Sequence, residues 1–161
     1  MPRIRISLRA QTLELLDDSD GLVRTYSVST SRNGPGEQED SFCTPRGKHI
    51  IRAMIGAGQP LNAVFVGRRP TAEIYADELG ERFPGRDWIL TRILWLSGCE
   101  PGFNRLSNVD TMQRYIYIHG SPDSAQMGKP ASIGCIRMHN RDIIEVFDHV
   151  APGTPVDILE T

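Results

Sequence analysis

The chain has 161 residues, 39% hydrophobic and 24% charged, with 18 basic against 20 acidic side chains and a net charge of −2. That length and balance describe one globular domain that can bury a core without disulfides or metals. They argue against a nucleic-acid surface built on excess positive charge, and no apolar run approaches the ~18 residues that would insert in a bilayer.

In chain order, Arg3 to Leu8 alternates basic and apolar residues and predicts a strand. Folded structure from residue 3 leaves no place for an export leader, which needs about 7–15 consecutive apolar residues, so a cytoplasmic protein is expected. Thr12 to Leu16 is a second strand, Asp17-Asp18-Ser19-Asp20-Gly21 a turn, and Leu22 to Ser29 a third strand, broken by Ser31 to Gly36. Lys48 to Ile55, Asn62 to Val66, Trp88 to Leu96, Arg114 to His119 and Pro155 to Leu159 are further strands. A short helix is expected over Thr71 to Leu79, with Thr71 as its N-cap. A second follows Asn140 as cap and runs through Arg141 to Val150. Its acidic Asp142 and Glu145 suit the positive end of the helix dipole, and Ile143, Val146, Phe147 and Val150 form an apolar stripe. No repeat or low-complexity linker interrupts residues 1–161, so a single domain is expected.

Cys43, Cys99 and Cys135 are odd in number and widely spaced, which fits reduced thiols rather than a disulfide framework. There is no CxxC or HxxxH, and Cys135 with His139 is a lone pair, so neither a metal nor any other cofactor is expected. Cys43 and Cys99 read as small buried hydrophobes, and His49 and His149 as satisfied structural histidines.

Cys135 reads differently. In Arg114 to His119, Ile116 and Ile118 fall on one face, and Tyr115, Tyr117 and His119 on the other. After a loop, Cys135, Arg137 and His139 share one face of a second extended segment, with Ile136 and Met138 opposite. His119 and Cys135, sixteen positions apart, therefore both take polar faces. An imidazole is the usual base that activates a thiol. The small-residue turn Ser132-Ile133-Gly134-Cys135 can aim backbone N–H groups at whatever the sulfur attacks, as an oxyanion hole does.

These residues resemble the YkuD-type L,D-transpeptidase domain, whose signature is a His-Gly pair, a loop, and Ser/Thr-x-Gly-Cys-aliphatic-Arg/Asn. Here the signature reads His119-Gly120, then Ser132-Ile133-Gly134-Cys135-Ile136-Arg137. Val28 to Ser31, Thr44 to Gly47, Thr91 to Gly98 and Gly153 to Val156 also fit the family pattern. Ile133 departs from it, standing where many members carry a histidine. The resemblance implies a mainly β fold, a β-sandwich with a few short helices. It also implies acyl transfer at the bond joining the L-centre of meso-diaminopimelate to the terminal D-alanine of a peptidoglycan tetrapeptide stem.

Cys135 would be the nucleophile, His119 the general base, and the Gly120 carbonyl the group that orients the imidazole. The amides of Gly134 and Cys135 would hold the oxyanion. Arg137 would meet a substrate carboxylate or add positive field at the thiolate, unless it forms only a surface ion pair with the nearby helix. Tyr117 and Ser132 are candidate substrate contacts, Ser132 more as a brace of the turn than as a reacting group. With no export signal, muropeptide fragments in the cytoplasm are the expected substrates, hydrolysed to tripeptide and D-alanine by L,D-carboxypeptidase action. A cross-linking transpeptidase is the alternative, and carbapenems are possible inhibitors of either. A non-catalytic muropeptide-binding domain is a further rival, although it has no need of a nucleophile beside a base. A papain-like protease is disfavoured because its Cys would precede its His.

Overall fold

Ten strands, two short α-helices and one 3-10 turn (Ser107–Val109) make up the computed structural model, which describes residues 1–161. The strands are β1 (Arg3–Ser7), β2 (Thr12–Leu16), β3 (Leu22–Ser29), β4 (Gly47–Ile55), β5 (Ala63–Val66), β6 (Arg69–Ile74), β7 (Ile89–Gly98), β8 (Tyr117–Ser121), β9 (Ile136–His139) and β10 (Pro155–Leu159). Helix α1 (Asp77–Arg82) lies between β6 and β7, and α2 (Asn140–His149) follows β9 directly.

The strands pair in the order β4-β10-β1-β2-β3-β9-β8-β7, and β4 pairs back onto β7, so the two layers of the sandwich join at their edge. The β5–β6 hairpin hangs from the start of β7 through Val64↔Leu90 and Phe65↔Ile89. Alternation decides what the layers enclose. Ile4 and Ile6, Leu13 and Leu15, Tyr26 and Val28, Ile136 and Met138, and Val156 and Ile158 all point into one core of 18 buried residues. The expected stripe of α2 closes that core with Ile143, Val146 and Phe147, and Val150 packs at its margin. Each such side chain withdraws enough apolar surface to contribute about 1.5–3 kcal/mol.

Four local expectations are corrected. Residues 71–74 form a strand rather than a helix, because Val66-Gly67-Arg68-Arg69 is a tight hairpin turn with φ +56° at Gly67 and +63° at Arg68. Thr71 bonds the Val64 carbonyl across that hairpin at 3.1 Å, and the helix starts only at Asp77. Strand β8 begins at Tyr117, not Arg114, since Tyr115 takes a left-handed backbone (φ +57°) and its N–H bonds the Met112 carbonyl in a turn. Asn140 is the first residue of α2 but does not cap it; its buried amide is used elsewhere. Cys99 is exposed and Cys43 only half-buried, so neither is a core hydrophobe.

Candidate active site

Parallel pairing of β8 with β9 sets the site. The register Ile118↔Ile136 and His119↔Arg137 places Cys135, the residue before β9, beside Tyr117 and one step from His119. Ile118 and Ile136 fill the core, so Tyr117, His119 and Cys135 turn to the opposite face. There Cys135 packs against a small apolar cluster of Ala63, Phe65, Ile93 and Tyr117.

His119 is fully buried, with Nδ1 2.6 Å from the Gly120 carbonyl. A carbonyl can only accept, so the proton is on Nδ1 and Nε2 carries a lone pair. That Nε2 has no hydrogen-bond partner. The Cys135 sulfur accepts the Tyr117 N–H at 3.3 Å and directs its own hydrogen to the Tyr115 carbonyl at 3.4 Å. No hydrogen bond joins thiol and imidazole, a looseness common before substrate arrives. Burial pushes the thiol up to about 12, against the pull of the Tyr117 amide, and holds the imidazole below its ordinary value. Both shifts favour neutral forms, so the resting arrangement is thiol plus imidazole. Such a pair can pass the sulfur's proton to Nε2 as the sulfur bonds to carbon, with no free thiolate beforehand.

The turn before Cys135 is held from within. The Ser132 hydroxyl donates to the Cys135 carbonyl at 2.6 Å and accepts the Gly134 N–H at 3.2 Å. Ser132 is buried and engaged on both sides, which makes it a brace rather than a substrate contact. Thr44 donates to the Gly134 carbonyl at 2.9 Å and accepts the Ser31 N–H at 3.0 Å, and Ser31 bridges Ser132. Two of the family-like segments, 28–31 and 44–47, thus fix the cysteine turn. Gly134 has φ +131°, a backbone that side chains rarely adopt.

Arg137 pairs with Asp87 at 3.0 Å, not with α2. Tyr117 is buried, and its hydroxyl accepts from Arg68 at 2.9 Å. Cys135 opens on a cleft of about 550 Å³ with a mainly apolar lining that includes Phe42, Phe65, Ile93 and Tyr117, along with Arg68 and Arg114. A second cleft of about 400 Å³, lined by Arg32, Arg86, Arg137, Trp88 and Ser121, meets the first at Asp87 and Ile133. Ile133, 41% exposed where a histidine is common, therefore forms an apolar divide between the two.

Behind His119 lies a support that sequence reasoning missed. Strand β7 bulges between Leu90, opposite Gly120, and Ile93, opposite His119. Within the bulge Thr91 has φ +74°, an outlying conformation for a β-branched residue, of the kind found next to functional sites. Its hydroxyl donates to Asn140 Oδ1 at 2.7 Å and accepts the Asn62 N–H at 3.1 Å, and Asn140 Nδ2 donates to Asn62 Oδ1 at 2.7 Å. The two buried members of this group, Thr91 and Asn140, press on Gly120, where a Cβ would stand 2.6 Å from the Leu90 carbonyl and also collide with Asn140 Oδ1. No local pattern announces it; only the pairing of distant strands brings Asn62, Thr91 and Asn140 together.

Comparison with known proteins supplies the family and the fold. The L,D-transpeptidase catalytic domain model of the YkuD family matches residues 1–158. A YkuD protein of Bacillus licheniformis, assigned as an L,D-transpeptidase, is 30% identical over 156 residues; the match covers 97% of this chain and 64% of the relative, so the chain spans a little under two thirds of that protein. Among solved structures, an L,D-transpeptidase from Xylanimonas cellulosilytica superposes with a TM-score of 0.54 at 19% identity, over 98% of this chain and 59% of that one. L,D-transpeptidase 3 from Mycobacterium tuberculosis, solved with a faropenem-derived adduct, gives 0.59 at 15% identity, over 99% and 61%. These likenesses carry the fold. The family match over almost its whole length places this chain in the YkuD family of L,D-transpeptidase catalytic domains.

Proposed function

We propose that the chain is a cysteine acyl-transfer enzyme that breaks the meso-diaminopimelate–D-alanine bond of peptidoglycan tetrapeptide stems. The observation that carries this reading is the unpartnered, buried Nε2 of His119, its tautomer fixed by Gly120, on the strand and face next to the Cys135 thiol. As Cys135 Sγ attacks the carbonyl carbon, its proton passes to His119 Nε2, and the new oxyanion takes hydrogen bonds from the Cys135 and Gly134 amides. The Gly134 N–H must then share or leave its 3.2 Å bond to Ser132. When the C–N bond breaks, His119 returns the proton to the leaving nitrogen, so D-alanine departs and a thioester remains. Arg137 is tethered by Asp87, whose charge offsets its field at the thiol.

Water then resolves the thioester in this proposal, His119 taking its proton and the sulfur recovering one, to give a tripeptide. Support comes from the second cleft, where Arg32, Arg86 and Arg137 face a single carboxylate, Asp87, already paired with Arg137. Such a lining offers an incoming ammonium little counter-charge. The three free thiols fit a reducing cytoplasm, where soluble muropeptides are the substrates. A transpeptidase is the second reading, favoured by the room that the same cleft leaves for another stem. Carbapenems are expected to acylate Cys135, by analogy with the transpeptidase LdtMt1 solved in complex with imipenem. Mass spectrometry of the purified chain with disaccharide tetrapeptide, with and without an amine acceptor, tests the proposal. Tripeptide and free D-alanine are expected in both; predominant 3-3 dimers would establish the transpeptidase, and no turnover would refute both.

A further inference from the structure

Arg68 is a cation placed without a counter-charge. It stands second in the β5–β6 turn with φ +63°, where a long side chain gains nothing locally and Asn or Gly is the usual occupant. From there its guanidinium carbon lies 4.5 Å from the Trp95 ring centroid and 4.9 Å from that of Tyr115. One N–H donates to the neutral Tyr117 hydroxyl at 2.9 Å. Of the other arginines near the clefts, Arg137 is committed to Asp87, Arg86 to Glu73 and Arg114 to the Gly36 and Cys43 carbonyls, while Arg32 lines only the second cleft. Arg68 makes no ion pair, is half-buried, and lines the cleft onto which Cys135 opens. A guanidinium has five N–H donors in one plane, and here two rings fix that plane while one donor is used. The remaining edge suits one carboxylate, bound by two parallel bonds.

We propose that Arg68 receives the free C-terminal carboxylate of the leaving residue, so that the site selects peptide ends over internal bonds; this rests on the acyl-transfer reading above. The carboxylate of a terminal residue lies two bonds beyond the nitrogen expelled from the scissile carbonyl. A cation in the same cleft as the nucleophile can therefore hold it while the carbonyl faces the sulfur. Arg137, already neutralised by Asp87, is the weaker candidate for this contact.

The test is a binding comparison that needs no turnover. The full chain carrying Cys135→Ala is titrated by calorimetry with the free tetrapeptide L-Ala-γ-D-Glu-meso-diaminopimelate-D-Ala and with the same peptide ending in a carboxamide. The acid is expected to bind about tenfold tighter, the scale of a charge-assisted bidentate contact. Adding Arg68→Met, which keeps the stem on the rings, is expected to bring the two affinities within twofold, and Arg68→Lys to restore part of the preference. Tyr117→Phe, which removes only the oxygen that orients the guanidinium, is expected to lower the preference partially and serves if Arg68→Met does not fold. Equal binding of acid and amide by the Cys135→Ala protein, or a preference that survives in Arg68→Met, would overturn the proposal. A preference that tracks Arg68 while the unmodified chain releases no D-alanine would uphold the carboxylate site and sink the acyl-transfer reading instead.

Discussion

Replacing Gly120 by alanine tests whether the wall behind His119 sets the imidazole. Gly120 lies within β8, in extended backbone, so any penalty comes from close approach alone. The added methyl would stand 2.6 Å from the Leu90 carbonyl, against about 3.4 Å for ordinary contact, and would also meet Asn140 Oδ1. Leu90 O is backbone in a bulged strand and Asn140 is locked by Thr91 and Asn62, so neither can swing aside. Relief therefore requires β8 to move by about 0.8 Å, at a cost of about 1–3 kcal/mol for overpacking. For a chain of this size each kcal/mol lowers Tm by about 2–4 °C, so calorimetry should show a fall of about 2–12 °C. The same movement displaces the Gly120 carbonyl from Nδ1 of His119, and a displacement near 1 Å can cost about a hundredfold in rate. D-alanine release by Gly120→Ala, followed with a coupled amino-acid oxidase, should fall by that factor. Unchanged Tm and unchanged rate would show that the contact yields freely and that His119 is not positioned from behind.

Cys135→Ala should abolish D-alanine release, whereas Cys43→Ala and Cys99→Ala should retain most of it; appreciable turnover without Cys135 would end the thioester mechanism. His119→Ala should lose about a hundredfold or more in rate while circular dichroism stays native, and a loss under about fivefold would send the search to another base. Buried His49, bonded to Gly47 O and Thr111, is pushed by desolvation to about 4, and burial lowers His119 as well. Below about pH 6.5 the unfolded chain takes up protons that the folded chain refuses, so stability is full above pH 6.5 and drains as pH falls toward 4. His49 alone accounts for about 3 kcal/mol across that window, and urea midpoints that stay flat from pH 7 to 5 would contradict it.

Period-two alternation is enough to read most strands and to put His119 and Cys135 on the face away from the main core, because each face is decided within a few residues; that this face is largely apolar comes from Ala63, Phe65 and Ile93, which distant strands bring to it. The stripe of α2 was legible for the same reason. The β5–β6 hairpin was not, since Gly67-Arg68 lacks the usual Asn-Gly signature and Thr71-Ala72-Glu73 suits a helix as well as a strand. Ser132 was visible as part of the turn, but its engagement on both sides depends on the path of the chain through Gly134. The Asn62–Thr91–Asn140 group and the stacking of Arg68 join residues 27 to 78 positions apart, and their partners are set by strand order, which local spacing does not encode.

The joining of β4 to β7 leaves the β5–β6 hairpin outside the closed circuit of strands, and α1 beyond it buries no side chain. Hydrogen exchange should therefore divide the molecule: amides of β8 and β9 open only with the whole protein, while those of residues 66–82 open on their own at far lower cost. Arg68 travels with the second group, and His119 and Cys135 stay with the first. Substitutions in the hairpin can then change how firmly a peptide is gripped without touching the reactive pair, a separation that lets one catalytic frame be retuned for different peptide ends.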